Sequence, residues 1–261
     1  MRLFARIAPM RVLALMLLSL LVSSSVGGCA ETATTPGSRK VTVFAAASLR
    51  QSFTEIGERF QAANPATQVE FSFAGSADLL TQLTQGAAAD VFAPANVATM
   101  DTAGQANLLA DPPVSIAANT LTIAVAAGNP KNIASLADLT RPGLAVVVCA
   151  PQVPCGSAAA KVQQAAGVRL DPVSEESQVT DVLQKVTSGQ ADAGLVYVTD
   201  VIGARGGVSG VSFPEAAAAV NVYPIAVLRQ SEDLDLARRF VDFVAGADGQ
   251  RILSAAGFAK P

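Results

Sequence analysis

Two periods of apolar residues alternate along this chain. Residues 41–46 form a near-continuous apolar run, the pattern of a buried strand. Leu49, Phe53, Ile56 and Phe60 then recur at helical spacing over residues 49–62, until Asn64-Pro65 stops them. Residues 69–73 alternate as a strand, and residues 77–85 read as a helix ended by Gly86. The same reading gives a short strand at 90–92, a helix at 94–103, and strands at 121–126 and 144–149. Helices follow near 157–166 and at 179–187, the second ended by Gly189. Strands at 193–198 and 223–228 and closing helices at 233–244 and 249–255 complete the pattern. Strand–helix alternation of this kind predicts an α/β fold with mostly parallel strands in mixed sheets and helices on both faces. No internal repeat stands out.

The N-terminus follows different rules. Arg2, Arg6 and Arg11 precede an apolar run at 12–22, broken only by Ser19. A bilayer-spanning helix needs about 20 residues, so this shorter run suits a signal peptide, here 1–28. The segment ends Ser25-Val26-Gly27-Gly28-Cys29, which resembles the bacterial lipoprotein signal. That resemblance implies cleavage after Gly28 and a lipid on the sulfur of Cys29, which would anchor the protein to the cell membrane outside the cytoplasm. An ordinary cleaved signal followed by a chance cysteine is the alternative. Loss of Arg2, Arg6 and Arg11 with the signal would shift the net charge from −3 to −6. The stretch 29–40 is rich in Thr, Pro, Gly and Ser and reads as a flexible tether, which as a coil spans roughly 18 Å.

Composition narrows the chemistry. The chain is 51% hydrophobic and 15% charged, with three Cys and no His. No His-based triad, Cys–His pair or His-ligated zinc can be built from it. An acidic balance argues against nucleic acid, because phosphate binding needs clustered cations. No Walker motif and no convincing catalytic pair appear, so neither an enzyme nor an ATPase is expected, and no cofactor. With Cys29 assigned to lipid, Cys149 and Cys155 remain, six positions apart in a compartment that permits disulfides. A Cys149–Cys155 bridge is predicted, with two buried thiols as the alternative.

Two strand ends pass through small residues to a serine: Phe44-Ala45-Ala46-Ala47-Ser48-Leu49 and Phe73-Ala74-Gly75-Ser76-Ala77. Ligands of open α/β sheets bind at the carboxyl ends of strands, and helix starts offer free N–H groups with partial positive charge. An anion clamp without a charged residue fits these corners. So does the plainer reading, in which both serines are helix caps. Lys161, Lys185, Arg169 and Arg205 read as surface charge, Glu175-Glu176 as a loop at a helix start, and residues 205–210 as a Gly-rich loop.

The strand Val41-Thr42-Val43-Phe44-Ala45-Ala46-Ala47-Ser48-Leu49 resembles the opening of the molybdate-binding proteins of bacterial ABC transporters. Phe71-Ser72-Phe73-Ala74-Gly75-Ser76, Gly86-Ala87-Ala88-Ala89-Asp90-Val91-Phe92, Val153-Pro154-Cys155-Gly156, Gly194-Leu195-Val196-Tyr197 and Tyr223-Pro224-Ile225-Ala226-Val227 extend the similarity in order. The resemblance implies a two-lobed periplasmic-binding-protein type II fold with a ligand cleft. The first lobe would comprise 41–118 and 222–261, and the second 119–221. Crossings are expected near 115–119 and 218–223. It further implies that Ser48 and Ser76, the backbone N–H groups of Cys155 and Val179, and the hydroxyl of Tyr197 hold molybdate or tungstate, with no protein atom ligating the metal itself. Tyr197 could instead be a core residue. A monomer delivering its ion to a membrane permease with a separate ATPase is the implied role. A receptor for sulfate or phosphate, or a surface lipoprotein outside transport, are the alternatives.

Overall fold

The first strand is buried on both faces, as a central strand between two helical layers must be. In the computed structural model, which describes residues 39–261, β1 (Arg39–Ala46) pairs in parallel with β2 (Thr67–Ala74) and β3 (Val91–Ala93). Val41, Val43, Ala45 and Val91 face one layer, and Phe44 and Phe92 the other, following the two-residue period of a strand. The first layer is α1 (Arg50–Ala63) with α7 (Leu234–Ala245) and α8 (Ala247–Ala255). Phe53 and Phe60 of α1 meet Phe240 edge to face, with ring centroids 6.5 and 5.2 Å apart. Fully burying one such ring contributes about 1.5–3 kcal/mol. On the other face, α2 (Ser76–Thr84) and α3 (Val97–Gln105) bring Leu79, Leu83 and Met100 against Phe44 and Phe92.

Two further strands complete this sheet, β4 (Val114–Asn119) and β10 (Asn221–Val227), in the order β2-β1-β3-β10-β4, with β10 antiparallel to both its neighbours. A second five-stranded sheet comprises β5 (Leu121–Ala126), β6 (Val146–Cys149), β7 (Ser174–Glu176), β8 (Ala193–Tyr197) and β9 (Val208–Val211), in the order β7-β6-β8-β5-β9. Around it lie α4 (Pro154–Ala166), α5 (Val179–Thr187) and α6 (Val198–Gly203). Each sheet has four strands running one way and one reversed, β10 in the first and β5 in the second, and only three strands in each pair side by side in parallel. The expected parallel character therefore belongs to β2-β1-β3 and β7-β6-β8.

The chain leaves the first sheet after Asn119 and returns at Asn221. These two residues pair in register, so both belong to the first sheet rather than to the second lobe, where the sequence reading put them. β1 also begins before the expected end of the tether. Arg39 is held there by two hydrogen bonds to Asp233, at 2.7 and 2.6 Å, and Lys40 by Glu70. The predicted helix at 94–103 starts at Val97 instead, because Asn96 caps it by accepting from Thr99 N–H at 2.9 Å. Residues 208–211 form β9 rather than a loop, and Glu176 lies in β7, paired with Lys185. The expected signal peptide, Cys29 and most of the tether lie outside the described residues. Among the described residues no helix is long and apolar enough to cross a membrane.

Candidate functional site

Six parallel strands end in the space between the two sheets, and each hands the chain to one wall of a single cavity. β1 runs into a 3-10 turn, Ala47–Leu49, that carries Ser48. β2 ends at Gly75 and Ser76, and β3 at Ala95. From the second sheet, β6 leads through the cysteine loop to Cys155, β7 to Gln178 and Val179, and β8 to Tyr197. Together these residues line a cavity of about 10 Å³. Pockets for drug-sized ligands run from about 300 to 1,000 Å³, so this one suits a small ion. No charged side chain lines it.

Helix starts supply the donors. The first intrahelical bond of α4 is Ser157 N–H to Val153 C=O, at 2.8 Å, so the N–H groups of Cys155 and Gly156 precede the ladder. In α2 the corresponding bond is Leu79 N–H to Gly75 C=O, which leaves Ser76 N–H ahead of it. Val179 is the first residue of α5. Its neighbour Gln178 turns its amide away, donating to Asp181 at 2.9 Å. Three helices thus direct the positive ends of their dipoles at one point.

Neither serine is a cap. Ser76 stands at the first helical position behind Gly75, and its Oγ accepts from Ala95 N–H at 3.0 Å. Ser48 Oγ lies 3.1 Å from the hydroxyl of Tyr223. Tyr197 and Tyr223 are the chain's two tyrosines, both buried, with rings edge to face at 6.0 Å. Burial pushes both hydroxyls above their ordinary range, so they remain neutral donors. Behind them, Asp200 accepts from Tyr197 N–H at 2.8 Å. Burial pushes its carboxyl up to about 7 against that hydrogen bond.

A disulfide joins Cys149 to Cys155, with Cα atoms 5.6 Å apart, and closes the loop just before α4. Gly156 is required there, since a Cβ would collide with Ala150 O. Lys161, Lys185, Arg169 and Arg205 are not among the cavity's walls. Among the described residues, no group of His, Cys, Asp or Glu is placed to hold a metal ion.

Sequence reasoning missed Ala95, Asn221, Tyr223 and Asp200. Ala93-Pro94-Ala95 carried the same signal as the other corners, small residues after a strand. The others act across elements, and no local pattern marks them.

Two sheets closing over a small cavity at their strand ends define a solute-binding protein. Residues 41–259 match the family described as bacterial extracellular solute-binding protein, and the chain belongs to it. Its sequence is 60% identical to the molybdate-binding protein ModA of Mycobacterium tuberculosis over 227 residues, 87% of each chain. The periplasmic molybdate-binding protein of Azotobacter vinelandii shares the fold, with a TM-score of 0.74 at 19% identity, covering 85% of this chain and 99% of that one. So does the sulfate-binding protein SubI of M. tuberculosis, with a TM-score of 0.73 at 22% identity over 85% and 87%.

Proposed function

We propose that this chain captures molybdate, and tungstate as well, outside the cytoplasm and delivers it to an ABC permease whose ATPase is a separate chain. One observation carries the reading. Six strand ends from two sheets meet at a cavity lined by hydroxyls and early-helix N–H groups, with no charged side chain. A tetrahedral dianion has four oxygens that only accept. Burying it is costly unless each oxygen is hydrogen-bonded. In this reading Ser48, Ser76 and Tyr197 donate through hydroxyls, and Cys155 and Val179 through backbone N–H groups. The 60% identity to a protein named for molybdate binding supports the choice of ion.

Calorimetry of the purified protein tests it. Molybdate and tungstate should bind with one-to-one stoichiometry, and sulfate and phosphate far more weakly. Heat from sulfate or phosphate with none from molybdate would replace this reading with another oxyanion receptor. A lipid on Cys29 would hold the protein, as a monomer, at the membrane. Cys29→Ser should then release it into the soluble fraction.

A further inference from the structure

We infer that Asn221 is a positioning residue that fixes the donor direction of the Tyr197 hydroxyl in the anion site. The inference rests on the molybdate reading above. Asn221 opens β10 at the crossing between sheets and is 6% exposed. Its Nδ2 lies 2.9 Å from Ala95 O, 2.9 Å from Tyr197 Oη and 3.5 Å from Pro154 O. The carbonyls settle which end of the amide is which. A carbonyl only accepts, so the NH2 group must face Ala95; the flipped amide would set two acceptors against each other. Tyr197 Oη therefore receives an N–H, and its own proton must point elsewhere.

Ala95 carries the same arrangement to the other lobe. Its C=O accepts from Asn221 while its N–H donates to Ser76 Oγ at 3.0 Å. Each of the two hydroxyls, one per lobe, already holds a donated hydrogen bond, and each has its proton free for the cavity. Tyr223, its ring edge to face with Tyr197, is the neutral neighbour that competes as acceptor of the Tyr197 O–H hydrogen bond. An entering dianion wins it, because charge-assisted hydrogen bonds are roughly twice as strong as neutral ones. The site is thereby set to meet acceptors. An oxyanion that carries its own proton, such as hydrogen phosphate, brings a donor against donors.

A double-mutant cycle on the full-length protein tests this, with molybdate and phosphate titrated at pH 6 into wild type, Asn221→Ala, Tyr197→Phe and the double variant. Wild-type binding of molybdate tests the functional reading itself. The cycle tests Asn221. We expect Asn221→Ala to lower molybdate affinity about 10-fold and to shrink the molybdate-to-phosphate ratio, the size of one lost hydrogen bond to a charged ligand. In the Tyr197→Phe background the same substitution should change molybdate affinity less than about twofold, since coupled residues are not additive. An undiminished loss in that background, or no loss in wild type, overturns the inference. Melting of the empty proteins reports on folding. If the alanine variant does not fold, Asn221→Ser is taken through the same cycle under the same criteria.

Discussion

Asp200 is a buried carboxylic acid, and it makes stability depend on pH. Its carboxyl titrates near 7 in the fold, against 3.8 ordinarily, because burial disfavours the charged form. Between about pH 4 and 7 the folded chain keeps a proton that the unfolded chain has lost. Stability from this group is therefore present at low pH and declines as pH rises through that window, by about 4 kcal/mol at most. Thermal melts of wild type and Asp200→Asn from pH 4 to 8 should show it. The wild-type advantage should fall up to pH 7 and then level off. Tyr197→Phe and Ser48→Ala each remove one hydroxyl at the cavity. Each should weaken molybdate binding by about 1.5–3 kcal/mol in calorimetry, the range for hydrogen bonds to charged groups. At this scale the sequence was partly legible. The strand-to-serine corners at Ser48 and Ser76 stand out in any reading of the chain. What those hydroxyls bond to does not, because Tyr223 lies 175 positions from Ser48 and Ala95 lies 19 from Ser76.

Among the elements, α4 is the most constrained at its start. Pro154 opens it with a fixed φ, the Cys149–Cys155 bridge ties its first turn to β6, and Gly156 lets Ala150 O approach. Replacing both cysteines by serine should lower stability by about 2 kcal/mol, the loop-closure value for so short a ring. Molybdate affinity should fall with it, because Cys155 N–H is placed by that loop. Gly156→Ala should cost more than the missing bridge, since a backbone oxygen cannot step aside for a Cβ. Chemical denaturation of the three proteins would rank them. If Gly156→Ala matches wild type, the close approach is not a constraint. The bridge was legible from cysteine bookkeeping, and α5 was read at its observed bounds. β7 was not, because Ser-Glu-Glu has no apolar pattern. β9 was hidden in a Gly-rich run whose pairing partner, β5, lies far earlier in the chain.

Closure is the property of the whole molecule. Gly75 of the first lobe sits against Ser177, which lies between β7 and α5 of the second, and a Cβ on it would collide with the Ser177 carbonyl oxygen. Its φ of −58° suits any residue, so within the first lobe Gly75→Ala asks only a small shift of the Asp78 carboxylate, 3.3 Å away, whereas it directly obstructs the approach of the second. Such a variant should melt like wild type when empty and bind molybdate at least 10-fold more weakly, the cost of a roughly 1.4 kcal/mol penalty on the closed state. Scattering with ligand should show less compaction than wild type. The alternating pattern announced two layers of helices around parallel strands but not two sheets with one shared plan. That plan rests on pairings, β10 between β3 and β4 and β5 between β8 and β9, that no local signal encodes. It also sets an order of assembly. β3 and β4 are neighbours in sequence yet never touch in the sheet, because the slot between them waits for β10. As the chain is made, the stretch from β5 to β9 can complete the second sheet while the first is still missing an inner strand. The half that is begun first is finished last, and until its closing strand and two helices arrive the core of the first lobe cannot lock, even where that of the second already has.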